Sequence, residues 1–117
     1  MAYVDGFVLP VPRRNLPAYR RMARAAGRIW REHGALEYRE CVGDDLDVKE
    51  LLPFPRLTKA KPDDTVIFAW IVFKSRQDRD RVNAAVMKDP RLQSMGKDMP
   101  FDCKKMAYGG FKTIVEE

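Results

Sequence analysis

Four stretches of this chain carry β-branched and aromatic residues in the pattern typical of β-strands. Three of them end at Pro, Gly or Ser residues, which interrupt extended structure. The third stretch is the most strongly apolar of the four, and it contains both Trp70 and Phe73. The strands predicted in this way are residues 3–11, 36–42, 65–74 and 106–115.

Two further stretches repeat apolar residues at helical spacing. The first covers residues 15–33, and Gly34 is placed to end it. The second begins at Ser75, where Asp78 three positions later resembles a capping box, and extends to about Lys88. The resulting order β-α-β-β-α-β predicts an α+β, ferredoxin-like fold with an antiparallel sheet. We expect a single domain over residues 1–117.

The segment between the second and third strands does not fit a tight hairpin. Residues 43–64 form a connection longer than is usual in compact domains, so we expect an irregular excursion with a functional or local structural role. Within it, residues 47–52 are compatible with a short helix that ends before Pro53.

The third strand is apolar on both of its faces, and this predicts an assembly. Its even-numbered side chains, from Val66 to Val72, point one way, and its odd-numbered ones, from Ile67 to Phe73, point the other. Two helices cover only one face of such a sheet, and soluble monomers avoid a large exposed apolar patch. We therefore expect a homodimer formed through the open sheet face.

Composition agrees with a folded, soluble chain. Hydrophobic residues make up 45% of the 117 residues and charged residues 33%, which excludes disordered and fibrous classes. The longest apolar run is too short to cross a membrane, and no signal peptide pattern begins the sequence. Cys41 and Cys103 form neither a CxxC motif nor a disulfide framework. A cytoplasmic location with reduced thiols is the resulting expectation.

The formal charge of +5 is concentrated in one helix. Residues 13–33 hold seven arginines and one acid, whereas the rest of the chain has a net charge of −1. Four of these arginines follow helical spacing opposite the apolar stripe: Arg20, Arg24, Arg28 and Arg31. They predict a solvated helix face, with an RNA-binding or acidic-partner surface as the alternative. Nucleic acid is disfavoured because no nucleic-acid-binding motif accompanies them.

The candidate catalytic residue is Asp5, a carboxylate in the middle of the first strand. A buried carboxylate is costly unless it is paired, so Asp5 is either a general base or the partner in a structural ion pair. Glu40, in the second strand, raises the same two possibilities less strongly. His33 ends the first helix, where a structural role is favoured.

Three aromatic residues are candidate binding residues. Tyr3, Trp70 and Tyr108 are predicted to line a pocket between the sheet and the helices for an aromatic or apolar ligand, or else to be core or interface residues. The clustered acids Asp44 to Asp47 lack the spacing of a calcium loop, and we expect no metal site. No dinucleotide, nucleotide, zincin or hydrolase motif is present, and we expect no cofactor.

Several segments resemble the YbaA-like family of small bacterial proteins, which is classed as a domain of unknown function. The resemblance implies a ferredoxin-like fold of the dimeric α/β-barrel type, whose members include cofactor-independent oxygenases, haem-degrading enzymes and small-molecule isomerases. Residues 43–64 depart from the family pattern. The segments that carry the resemblance include residues 3–8, 10–12, 34–36, 65–71, 89–91, 99–102 and 108–111.

The leading functional hypothesis is a dimeric α/β-barrel protein that binds a small organic molecule, or a cofactor-independent enzyme acting on one. Asp5 would be its catalytic residue, with Tyr3, Trp70 and Tyr108 around the ligand. One alternative is a module that binds RNA or an acidic partner through the arginine face of the first helix. The other is a structural or regulatory dimer with no ligand.

Overall fold

A four-stranded antiparallel sheet forms one layer of the molecule, with strand order β2-β3-β1-β4. The computed structural model describes residues 1–96 and 98–117. Because β1 and β3 are the two inner strands, side chains near their middle lie under the helices or on the opposite open face. The strands are β1 (Tyr3–Pro12), β2 (Glu37–Val42), β3 (Asp64–Phe73) and β4 (Ala107–Lys112). The predicted α+β, ferredoxin-like fold is confirmed.

The two helices predicted from the sequence begin and end at the signals found there. The first carries a proline in its first turn and ends at Gly34, whose φ of 122° is in the region that favours glycine. The hydroxyl of Ser75 accepts a hydrogen bond from the Asp78 amide at 3.0 Å, so the predicted cap of the third helix is confirmed. The helices are α1 (Leu16–His33), α2 (Phe54–Leu57), α3 (Arg76–Met87) and α4 (Pro90–Met95).

The core lies between the sheet and helices α1 and α3. One cluster joins β1 and β3 to the first half of α1, and it includes Leu9, Tyr19 and Ile67. A second joins β3 to the end of α1 and to α3, and it includes Phe73 and Val82. Burial of such apolar side chains is the main force that holds the helices on this face.

Contacts among charged groups fix the short helix α4 beside the end of α1. His33 Nε2 lies 2.9 Å from Asp89 Oδ2, and Arg91 contacts both Asp89 and Glu32. Hydrogen bonds from Arg91 and then from His33 hold the pKa of Asp89 well below its ordinary value. His33 therefore has a structural contact at the position where the sequence favoured such a role.

The opposite face of the sheet is apolar and largely uncovered. The Phe68 and Phe111 side chains project from it, with 48% and 62% of their surface exposed. Helix α2 covers one part, because Phe54 packs against Phe68 with ring centroids 6.1 Å apart. Both faces of β3 are therefore apolar, as the sequence predicts. The Trp70 side chain lies on the uncovered face.

One local expectation is wrong, and one short helix was not predicted. Residues 47–52 form irregular structure with bends at 49–51 rather than a helix, because Glu50 adopts a positive φ of 66° that interrupts helical geometry. The short helix lies instead at α2, where Pro55 in the first turn favours helix initiation. Asp89 and Pro90 do end α3, but they also begin α4, since the Asp89 carboxylate accepts from the Arg91 amide at 2.9 Å.

Candidate functional site

Asp5, the predicted catalytic residue, is buried beneath the helices with 1% of its surface exposed. Its Oδ1 lies 3.1 Å from Nε of Arg79, on α3. Its Oδ2 accepts a hydrogen bond from Nδ2 of Asn83 at 3.1 Å. Both carboxylate oxygens therefore face groups from α3, in the arrangement of a buried structural ion pair.

Two of the predicted binding residues lie beside this ion pair. The Arg79 guanidinium packs over the Tyr3 ring at 4.9 Å, and its Nη2 donates to the Tyr3 hydroxyl at 3.3 Å. Burial and then the Asp5 carboxylate raise the pKa of Tyr108, on the neighbouring strand. The structure thus brings Tyr3, Asp5 and Tyr108 together around Arg79.

Trp70 lies apart from the other three predicted site residues. Side chains alternate along β3, and the Trp70 indole points to the open face of the sheet. There its Nε1 donates to Glu37 Oε2 at 2.5 Å, and Arg39 stacks on its ring. The Trp70 indole and the Asp5 carboxylate therefore lie on opposite faces of the sheet, and a role of Trp70 in ligand binding stays a prediction.

A cavity of about 400 Å³ lies between the sheet and helices α1, α3 and α4. Its volume is in the range of small-molecule sites. Aromatic side chains and thioethers form most of its wall, so it is both apolar and adaptable in shape. Its aromatic lining residues are Phe7, Tyr19, Trp30, Tyr38, Trp70 and Phe101, and its methionines are Met22, Met87, Met95, Met99 and Met106.

One carboxylate faces this apolar cavity, and two phenols hold it. The Tyr19 hydroxyl donates to Glu40 Oε1 at 2.5 Å, and the Tyr38 hydroxyl donates to Oε2 at 2.6 Å. Burial and then the charge of Glu40 raise the pKa of both phenols well above their ordinary value. The two tyrosines therefore remain protonated donors, and the carboxylate is held in one orientation.

This triad of Tyr19, Tyr38 and Glu40 was only partly visible in the sequence. Side chains alternate between the two faces of β2, and Glu40 is on the same face as the apolar positions of that strand. A carboxylate on an apolar face is the reason why the sequence indicates Glu40 as a secondary candidate. Tyr19 matched the ordinary buried stripe of α1, and it lies 21 positions from Glu40. Nothing in the local pattern indicated that the two side chains meet.

The triad and the Asp5 ion pair are joined through α1 and α3. Trp30 Nε1 donates to Asn83 Oδ1 at 3.0 Å, and Asn83 in turn donates to Asp5. The Trp30 ring also packs on Tyr38, with centroids 6.1 Å apart. The buried ion pair therefore supports the Trp30 wall of the cavity through Asn83, although Asp5 does not line the cavity.

Gly27 makes room for Tyr38 against helix α1. A Cβ atom added there would lie 2.7 Å from Cδ1 of the Tyr38 ring. We expect Gly27→Ala to destabilise the fold by about 1 kcal/mol, since an overpacking cost of about 2 kcal/mol exceeds the helix-propensity gain of about 1 kcal/mol. Chemical denaturation measures this change.

The control for this prediction is Gly96→Ala, where the nearest atom to the added Cβ would be 3.6 Å away. We expect its stability to stay within about 0.5 kcal/mol of the parent protein. Equal stability of the Gly27 and Gly96 variants would contradict the role assigned to Gly27.

The described residues hold neither a metal-binding cluster nor a membrane-spanning helix. Within residues 1–96 and 98–117, no group of three His, Cys, Asp or Glu side chains is placed to hold a metal ion. In the same ranges, no helix is long and apolar enough to cross a membrane.

The four-stranded antiparallel sheet, with α1 and α3 packed on one face, defines an α+β protein with a ferredoxin-like fold. Rv0793 from Mycobacterium tuberculosis has a similar structure, with a TM-score of 0.61 and 13% identity over 99% of this chain and 98% of that one. SnoaB, a cofactor-independent oxygenase from Streptomyces nogalater, gives a TM-score of 0.53 and 13% identity over 98% and 95%. At these identities the likeness shows the fold alone.

The sequence comparisons identify the family. The model for DUF1428, described as a protein of unknown function, matches residues 2–103. The uncharacterized protein YbaA of Escherichia coli strain K12 is 43% identical over 117 residues, which cover 100% of both chains. The chain belongs to the DUF1428 family, which confirms the YbaA-like resemblance.

Proposed function

We propose that this protein binds a small organic molecule in the cavity, with Glu40 as its polar anchor. The ligand has a mainly apolar body and carries a hydroxyl or another hydrogen-bond donor. One observation carries this proposal: a carboxylate held by two phenols faces a cavity whose lining is mainly aromatic, aliphatic and methionine side chains. Few, well-placed polar groups in an apolar pocket are typical of small-molecule sites.

Glu40 has acceptor capacity left for a ligand. A carboxylate offers about four lone-pair positions, and Tyr19 and Tyr38 each use one. The remaining positions accept a ligand donor through a charge-assisted hydrogen bond, which is about twice as strong as a neutral one. Because the phenols fix the carboxylate, little conformational entropy is lost when the ligand binds.

Calorimetric titration with two matched probes tests the proposal. 2-Naphthol has an apolar body and a hydroxyl donor, whereas 2-methoxynaphthalene has the same body without the donor. We expect 2-naphthol to bind about 10-fold more tightly, the effect of one charge-assisted hydrogen bond. Failure of both probes to bind would contradict the proposal, as would equal affinity for the two.

Asp5 is proposed as a structural residue rather than a catalytic one. Its oxygens lie beside Arg79 and Asn83, and Asp5 is not among the residues that line the cavity. A cofactor-independent reaction, such as that of the oxygenase SnoaB, would instead take place beside Glu40. Tyr3 and Tyr108 are assigned to the surroundings of the ion pair.

A homodimer through the open sheet face is part of the same proposal. Phe68 and Phe111 leave a large apolar surface on the side opposite the cavity, and a second copy would cover it while leaving the cavity accessible. A cytoplasmic location is also proposed, because Cys41 and Cys103 are free thiols.

Phe111→Glu should convert the dimer to a monomer, because it places a charge in the proposed interface. Light scattering after size exclusion should give about twice the chain mass of 13.6 kDa for the parent protein and a single chain mass for the variant. The control is Leu36→Glu, at an apolar residue that is 54% exposed and lies outside the strands of the sheet. A monomeric parent protein would contradict the proposed dimer.

A further inference from the structure

A second concavity, which we call the arginine groove, lies between α1 and the edge strand β2. Its volume is about 730 Å³, and its floor is apolar, with Leu16, Ala23, Val42 and Ile67 among its lining residues. Four arginines of α1 line it: Arg20, Arg24, Arg28 and Arg31. The arginine face of α1, which the sequence predicts to be solvated, therefore lines a concave surface of the folded protein.

Three of these arginines have no internal counter-ion among the described residues. No carboxylate of residues 1–96 or 98–117 lies within 4.0 Å of Arg20, Arg24 or Arg28. Arg31 donates to the Leu36 carbonyl oxygen, while Glu32, the acid lining the groove's far end, pairs with Arg91 at 2.7 Å. Like charges four residues apart repel one another on a helix, so an external anion would relieve this repulsion.

The arginine groove and the inner cavity share part of their walls. Tyr19, Tyr38 and Glu40 line both of them. A ligand that passes this triad therefore has one part in the apolar cavity and another beside the arginines. The Glu40 carboxylate repels an anionic group from the inner side, and the arginines attract it on the outer side. These charges fix the direction in which such a ligand lies.

We propose that the arginine groove is the anion subsite of the same binding site, and that the ligand is an amphipathic anion. Its apolar body lies in the cavity, and a carboxylate or similar oxyanion lies between the side chains of Arg24 and Arg28. Guanidinium groups bind such oxyanions through paired, charge-assisted hydrogen bonds. This inference rests on the proposed function, because it requires a ligand in the cavity.

The test uses three probes with the same ten-carbon chain: decanoate, decan-1-ol and decyltrimethylammonium. Calorimetric titration of the full chain should show decanoate binding about 10-fold more tightly than decan-1-ol, with the cation weakest. Arg24→Gln and Arg28→Gln should each weaken decanoate about 10-fold and leave decan-1-ol within about 2-fold. Higher salt should reduce the decanoate preference, because the arginines are partly in solvent.

The matched control is Arg21→Gln, which makes the same charge change on the same helix but lies outside the arginine groove. Equal losses in the Arg21 and Arg24 variants would overturn the inference, since they would indicate a general charge effect. Tighter binding of polyuridylate than of decanoate would overturn it too, in favour of a nucleic-acid surface.

Two outcomes separate this inference from the proposed function. If decanoate and decan-1-ol bind equally well, the cavity binds a ligand but the anion subsite is wrong. If none of the three probes binds, and 2-naphthol also fails, both the proposed function and the anion subsite are wrong.

Discussion

Replacing Asp5 by Asn is expected to lower the free energy of unfolding by about 3 kcal/mol, because it removes one partner of a buried ion pair. Arg79 then keeps its charge in a site where only 18% of its side chain is exposed. The Asn83 amide also loses a charged acceptor, which weakens its support of Trp30. Equilibrium denaturation with guanidinium chloride measures the loss directly.

Asp80→Asn is the matched control for Asp5→Asn. Asp80 also pairs with Arg79, at 2.8 Å, but its side chain is 56% exposed. We expect this variant to lose less than about 1 kcal/mol, as is usual for exposed ion pairs. An Asp5→Asn protein with unchanged stability and no ligand binding would contradict the structural assignment and restore Asp5 as the catalytic candidate.

Replacing Glu40 by Gln is expected to weaken 2-naphthol binding about 10-fold, because the neutral amide cannot form the charge-assisted bond. Binding of 2-methoxynaphthalene should change less than about 2-fold, since it has no donor for Glu40. The control is Glu37→Gln, the same substitution in the same strand, where the carboxylate holds Trp70 on the opposite face. Equal losses in the two variants would contradict the role of Glu40.

The Glu40 variant should also change how the buried tyrosines titrate. Burial remains in the variant while the negative charge is lost, so the pKa of Tyr19 and Tyr38 should fall yet stay above the ordinary value. In the parent protein the folded-state pKa of each phenol is raised. The stability these phenols contribute is therefore present below about pH 10 and lost above it.

Absorbance at 295 nm during an alkaline titration reports this behaviour. In the parent protein, the phenols of Tyr19 and Tyr38 should ionise only as the protein unfolds. Their ionisation near pH 10 in the folded protein would contradict the burial and the hydrogen bonds assigned to them.

Much of the fold could be predicted because its signals are local. Ser75 and Gly34 mark helix ends through their own backbone and side-chain chemistry, and the structure has both helices there. The apolar residues of β3 correctly indicated a sheet with one uncovered apolar face. By contrast, the sequence did not predict α4, because Pro90 indicates the end of α3 and is also the first residue of α4.

The candidate site was less predictable because its residues meet only in three dimensions. Asp5 was recognised as a buried carboxylate, but the sequence does not show that Arg79, 74 positions later, lies beside it. Trp70 was grouped with Asp5 although strand pairing places it on the other face. Tyr19 and Tyr38 looked like ordinary core residues, and only their contact with Glu40 distinguishes them.

The methionine methyl groups give the most direct test of ligand binding in the cavity. The chain has six methionines, and every one except Met1 lines the cavity. In a methyl-labelled NMR titration with 2-naphthol, the cavity methionines should shift in a saturable way while Met1 stays unchanged. A titration that leaves the cavity methionines unmoved, or that moves Met1 as much as Met22, would contradict the account.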